Sequence, residues 1–280
     1  MKVISEPRHM QAQSGQWMVG KKSIGFVPTM GALHRGHLEL VRASRKQNNR
    51  TVVSIYVNPL QFGPKEDFLK YPRTLDADLK LLQKEKVDLV FSPSNQEMYP
   101  RGFATQVRVT GPIVQGLCAP FRPGHFDGVA TIVVKLLSSV QPTRFYLGQK
   151  DAQQAALLKK VIQDLNIKVE AVICPVVREH DGLAMSSRNV RLSLAARKSA
   201  PVLYRALKVG KSIFELGETD PEKILTEVRK VIKDVRKVRL QYLEAVDGTT
   251  LEPALRVKPG TMLALAAFLD NIRLIDNIIL

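Results

Sequence analysis

The sequence predicts an α/β protein: a doubly wound parallel sheet followed by a smaller α+β domain. Through the first two thirds of the chain, short runs rich in Val and Ile alternate with segments of helical apolar spacing, the pattern of parallel strands and covering helices. After about Val177 helical segments come first and strands later, without interleaving. A length of 280 residues, 45% hydrophobic and 24% charged, suits two domains of ordinary globular composition.

In chain order, strands are expected at 24–28, 51–57, 87–91, 144–147 and 168–174, where β-branched and aromatic residues cluster. The segment 38–46 is amphipathic. Segment 73–86 carries Leu75, Leu79 and Leu82 at helical spacing, with Asp76 and Asp78 near its start, where the helix dipole favours negative charge. Further helices are expected at 126–140 and 151–165. Ser193 reads as the cap of a helix over 195–216, and Asp220-Pro221 as the cap and first residue of another. Strands at 239–246, 262–269 and 273–279 complete the chain. The expected division is 1–176, a Rossmann-like domain, and 177–280, a lid-like α+β domain, with a cleft between them as the ligand site.

Charge narrows the partners. Lys and Arg number 42 against 26 Asp and Glu, a net +16 with a pI near 9.9, which favours nucleic acid, a phosphate-rich ligand or an acidic surface. Arg42, Arg45, Lys46 and Arg50 are spaced to share a helix face, and Arg229, Lys230, Lys233, Arg236, Lys237 and Arg239 form a second basic run. Neither contains an aromatic residue that could stack on a base, so specific nucleic-acid recognition is not expected. The apolar run 262–269 is far shorter than the roughly 20 residues that cross a bilayer. Glu6, Pro7, Arg8 and His9 stand where a signal peptide would be apolar, so a cytoplasmic location is expected. Cys118 and Cys174 lack zinc or disulfide spacing.

Four polar segments fall at four predicted strand ends, where open α/β sheets bind ligands. The first, Pro28-Thr29-Met30-Gly31-Ala32-Leu33-His34-Arg35-Gly36-His37, joins a strand to a helix start, presenting backbone N–H groups and a positive dipole end to phosphate. Two histidines three apart there can face one anion. The second is Asn58-Pro59-Leu60-Gln61-Phe62-Gly63. The third is Gly148-Gln149-Lys150-Asp151-Ala152-Gln153-Gln154; extending the stripe Leu157, Leu158, Val161, Ile162 and Leu165 backwards lands on Gln154, placing an amide at the head of a buried face. The fourth, 181–188, ends in Met185-Ser186-Ser187-Arg188, hydroxyls and an always-charged fork suited to phosphates. His-x-Gly-His belongs to the nucleotidyltransferase superfamily, which also holds cytidylyltransferases and the cores of class I aminoacyl-tRNA synthetases. Those alternatives leave the glutamines unexplained, and the second domain is too short to read a tRNA.

From near its start to Leu280, the chain resembles the pantothenate synthetase (pantoate–β-alanine ligase) family. The resemblance rests on the segments above together with Tyr71-Pro72-Arg73-Thr74, Arg122-Pro123-Gly124-His125-Phe126 and Arg273-Leu274-Ile275-Asp276-Asn277. It implies ATP-dependent ligation of pantoate and β-alanine through a pantoyl adenylate, Mg²⁺ carried on the nucleotide, and a homodimer. It assigns ATP binding to Met30, Gly31, Ala32, Leu33, His34, Arg35, Gly36 and His37, to Gly148, Gln149, Lys150 and Asp151, and to Val177, Met185, Ser186, Ser187 and Arg188. His37 matches the general acid, with His34, Lys150 and Arg188 stabilising charge. Gln61 and Gln154 match the pantoate pair, Gln61 also lying near β-alanine. No protein metal ligand is implied. Two departures stand out: Leu147 replaces the family's usual Phe, and Leu117-Cys118-Ala119 occupies a segment that often ends in Gly.

Overall fold

The computed structural model describes residues 1–64, 66, 68–235 and 237–280. Its first sheet is built from β1 (Lys2–Ile4), β2 (Ile24–Thr29), β3 (Arg50–Ile55), β4 (Leu89–Phe91), β5 (Arg144–Gly148) and β6 (Glu170–Cys174), all parallel, in the order β1-β4-β3-β2-β5-β6. The helices between them are α1 (Pro7–Val19), α2 (Arg35–Gln47), α3 (Leu75–Lys84), the single-turn α4 (Asn95–Met98), α5 (His125–Val140) and α6 (Ala152–Asp164). From β2 the chain steps outward through β3 and β4, then returns to place β5 on the other side of β2. The direction of winding therefore reverses between β2 and β5, which makes their carboxyl ends the topological switch point.

Both faces of this sheet are buried, as parallel sheets require. Val27, Val53, Val90 and Tyr146 pack with Leu40 and Val41 of α2 and Leu82 of α3. Their opposite-facing neighbours Phe26, Val52, Leu89, Phe91 and Phe145 are fully buried too. The second sheet is antiparallel, β7 (Val238–Asp247), β8 (Thr261–Leu269) and β9 (Ile272–Ile279), and carries α8 (Val202–Glu215) and α9 (Pro221–Lys233). Asp220 caps α9 by accepting from Glu222 N and Lys223 N, with Pro221 at the first helical position.

Two compact units result. The first comprises Met1–Val109, Arg122–Gly148 and Leu157–Cys174; the second comprises Thr110–Phe121, Gln149–Ala156 and Pro175–Leu280. The parallel sheet lies in the first and the antiparallel sheet in the second. The chain changes unit within α6, so this helix belongs to both.

Several expectations are corrected. The helix expected over 195–216 is two, α7 (Leu194–Ser199) and α8. Pro201 keeps helical torsions but has no N–H to donate, so the ladder breaks there. Arg50 is not on a helix face with Arg42, Arg45 and Lys46; it opens β3 and pairs with Asp88. Arg42 is paired with Glu39 and Glu85, Arg229 with Glu222 and Lys230 with Glu227, while Arg236 lies outside the described residues. The weakly periodic α1 and the edge strand β1 carry no strong sequence signal. Among the described residues, no helix is long and apolar enough to cross a membrane.

Candidate active site

In the first unit, the turn after β2 is built to fix a helix start. Gly31 and Ala32 both adopt left-handed backbone, φ 80° and 50°. Thr29 Oγ1 accepts from Gly31 N at 3.2 Å and donates to Ser54 O at 2.7 Å. Asp78, 2% exposed on α3, accepts from Ala32 N at 2.9 Å and Leu33 N at 2.8 Å, one per carboxylate oxygen. Thr74 Oγ1 adds a third donor at 3.2 Å.

The two histidines then form a reciprocal cap on α2. His34 Nδ1 accepts from Gly36 N at 3.1 Å, and His37 Nδ1 accepts from His34 N at 3.3 Å, with the rings 4.0 Å apart. Because each Nδ1 accepts a backbone N–H, each neutral ring carries its proton on Nε2. The N-terminus of α2 adds the positive end of the helix dipole.

Gln61 ends a 3₁₀ turn, Pro59–Gln61, after β3. Asn58 Nδ2 donates to Gln61 Oε1 at 3.1 Å and to Gly128 O at 3.0 Å; Tyr99 OH donates to Asn58 Oδ1 at 2.7 Å. Gln61 Nε2 lies 3.0 Å from Met30 Sδ, so the structure brings Gln61 to the first motif. The backbone here needs glycine on α5: a Cβ on Gly128 would stand 2.2 Å from Leu60 O. His125 Nδ1 lies 2.8 Å from Gln61 O, and Arg122 Nη2 donates to the same oxygen at 3.3 Å while pairing with Glu66 at 2.7 Å. Burial pushes the Glu66 carboxyl up, but Arg122, with smaller help from His125 and the Gly63 backbone, holds it below the usual range.

In the second unit, Gln149–Asp151 forms a 3₁₀ turn carrying Lys150, whose Nζ lies 3.2 Å from Asp151 Oδ1. The buried head of the α6 stripe is Gln153, not Gln154. Gln153 accepts from Cys118 N at 3.0 Å and donates to Ile113 O and Gly116 O, which folds the 110–121 segment onto it. Gln154 is half-buried. In that segment Leu117 adopts φ 56°, the conformation a glycine would take without strain, with its N–H directed at the Glu244 carboxylate.

The segment from Val177 to Arg188 folds back on itself. Met185 N donates to Val177 O at 2.9 Å, and Glu179 N to Leu183 O at 2.8 Å. Arg197 on α7 holds both Glu179 and Asp181, at 2.5 and 2.6 Å. Its guanidinium keeps the Asp181 carboxyl below the ordinary carboxylate range. Asn189 Nδ2 donates to Glu179 Oε1 and Ala184 O, and Ser186 Oγ accepts from Arg188 N at 3.2 Å.

Thus Met30 to His37, Gln61 and Gly148 lie in the first unit, and Gln149, Lys150, Asp151, Gln154, Val177, Met185, Ser186, Ser187 and Arg188 in the second. Leu147 is buried in β5. Sequence reasoning did not assign Asp78, Asn58, Gly128 or Gln153 to the support of these groups. Asp78 was legible as a helix-start acid, but the turn amides that it holds lie 45 and 46 residues away. Asn58 was visible as a polar residue at a strand end.

Comparison with known proteins identifies the family. The family model described as pantoate-beta-alanine ligase matches residues 2–279. The pantothenate synthetase of Thermotoga petrophila is 51% identical over 280 residues, the whole of both chains. The crystal structure of pantothenate synthetase from Thermus thermophilus is 45% identical, with a TM-score of 0.94 over 99% of each chain. That of pantoate-beta-alanine ligase from Francisella tularensis, complexed with beta-gamma ATP and beta-alanine, is 31% identical, with a TM-score of 0.82 over 100% of this chain and 97% of that one. The parallel sheet, the histidine-capped turn at its switch point and these full-length likenesses place the chain in the pantoate–β-alanine ligase family.

Proposed function

We propose that the protein ligates pantoate to β-alanine in two steps driven by ATP. A pantoate carboxylate oxygen attacks the α-phosphorus of ATP; the bond to the bridging oxygen breaks, pyrophosphate leaves and pantoyl adenylate forms. The β-alanine amine then attacks the acyl carbon, AMP leaves, and the amine gives up a proton to yield pantothenate. The observation that carries the reading is the paired-histidine cap on α2 after β2, which sets two imidazole rings at a helix N-terminus, the kind of site that binds a polyphosphate.

In this reading Met30 to His37, Gly148 to Asp151, Val177 and Met185 to Arg188 bind ATP. His37 is the general acid to the departing phosphate oxygen, and His34, Lys150 and Arg188 stabilise the charge that develops there. Gln61 and Gln154 hold pantoate through neutral amides, which orient the carboxylate without the ion pair that would weaken its attack. Gln61 also stands beside β-alanine. Residues 1–176 bind ATP and pantoate, and 177–280 act as the lid. Mg²⁺ offsets phosphate charge as a companion of the nucleotide. A cytoplasmic homodimer completes the reading.

AMP release is the test: it should require pantoate and β-alanine together, and pyrophosphate exchange into ATP should require pantoate alone. Exchange without pantoate, or equal turnover with an unrelated acid, would refute the assignment.

A further inference from the structure

The block Arg273-Leu274-Ile275-Asp276-Asn277 has no task in the mechanism above, yet it contains two adjacent buried polar residues. Asp276 and Asn277 on β9 are each 3% exposed, on a strand whose successive side chains face opposite ways. Asn277 Nδ2 donates to Gln149 O at 2.9 Å and to Lys150 O at 3.1 Å, and its Oδ1 accepts from Gln149 Nε2 at 3.0 Å. All three side-chain bonds therefore go to the turn that carries Lys150. Asp276 receives both arms of Arg178, at 2.7 and 3.0 Å, and its Oδ1 also accepts from Asn277 N at 2.8 Å. Arg178 in turn donates to Gly182 O at 3.0 Å and lies over the Tyr204 ring, fixing the start of the loop that ends in Met185 to Arg188. Every residue in this network belongs to the second unit.

We infer that Asn277 is a positioning residue for Lys150, and that Asp276 makes β9 a common frame for the Lys150 turn and the 177–188 loop. The physical argument is one of orientation. A lysine has a long flexible stem and a point charge, so its use in stabilising a developing oxyanion depends on where its backbone is held. Two carbonyls pinned by one buried amide fix the turn, and a displacement of about 1 Å at such a group costs on the order of a hundredfold in rate. The inference rests on the reading that Lys150 and the 185–188 segment serve ATP.

The test is a double-mutant cycle in the intact protein, using Asn277→Ala and Lys150→Ala singly and together. It follows pantoate-dependent exchange of pyrophosphate into ATP, with kcat and both KM values resolved, alongside thermal unfolding. Asn277→Ala should lower kcat for exchange by on the order of thirty- to a hundredfold, with KM for pantoate within about twofold. In the Lys150→Ala background it should add less than about threefold while lowering the unfolding midpoint as much as in the native background. Equal fold losses in both backgrounds would show a merely structural role and overturn the proposal, as would an unchanged kcat. If Asn277→Ala does not fold, Asn277→Ser, which keeps one donor, takes its place under the same criteria. If Lys150→Ala alone leaves exchange untouched, the assignment of Lys150 to ATP fails; if it abolishes exchange while Asn277→Ala does not affect it, only the positioning role fails. Asp276→Asn should raise KM for ATP about tenfold, the size of one lost charge-assisted bond. A KM for ATP at the native value would remove Asp276 from the proposal.

Discussion

Replacing Asp78 by asparagine tests whether one buried carboxylate holds the histidine-bearing turn. Asparagine has the same shape but a single acceptor oxygen. Of the two backbone donors, Ala32 N and Leu33 N, one keeps a partner and the other meets an NH₂ group, donor against donor. Leaving a buried N–H unpaired costs about 1–3 kcal/mol, and the bond that survives falls from charge-assisted to neutral, about 1 kcal/mol more. The expected loss is therefore about 2–4 kcal/mol, a large share of the roughly 5–15 kcal/mol that holds a domain together. Part of it can be avoided if the turn lets go. Ala32 sits at φ 50°, a conformation that costs a non-glycine residue about 1–2 kcal/mol. With one clamp gone it can relax to ordinary torsions and take His34 and His37 with it. Urea unfolding should show a lower midpoint at unchanged slope, and pyrophosphate exchange should fall by on the order of ten- to a hundredfold. Stability within about 0.5 kcal/mol of the native protein, together with exchange within about twofold, would refute the clamp.

Three other outcomes follow from the same geometry. His37→Ala or Lys150→Ala should each remove about 3–4 kcal/mol of transition-state stabilisation, read from kcat/KM for adenylate formation. Gly128→Ala forces a Cβ against Leu60 O at 2.2 Å. It should destabilise by about 1–3 kcal/mol and weaken pantoate binding more than ATP binding in calorimetric titrations, because the displaced turn carries Gln61. The Asp181 carboxyl titrates below its ordinary 3.8 in the folded protein, chiefly through the Arg197 hydrogen bond. A depressed native value means that its contribution is present above the unfolded pKa and is lost as pH falls through the native one. Chemical unfolding of the native protein and Asp181→Asn should thus differ most above pH 3.8 and converge below it; a gap that widens on acidification would contradict the pairing.

Local pattern was enough to set most of the elements and the chemistry that each strand end can offer. Alternating Val- and Ile-rich runs marked the parallel sheet, and Asp220-Pro221 marked the start of α9. His34 and His37 were identifiable as a pair because they stand three residues apart where a strand passes into a helix, so that both belong to one short turn. The break at Pro201 was legible in principle, yet the surrounding helical pattern concealed it. Which residues hold these groups in place emerges only from the folded chain. Asp78 reaches the histidine turn across 45 and 46 residues, Asn277 reaches the Lys150 turn across 127 and 128, and Gly128 meets Asn58 across 70. The choice of Gln153 over Gln154 as the buried amide was likewise set by the 110–121 segment folded onto it. A short stretch of residues can specify which face of an element is apolar, because that depends on a period of two or 3.6 residues. Which buried polar atom meets which distant backbone amide depends on strand order and packing of the whole unit, and no short-range pattern carries that information.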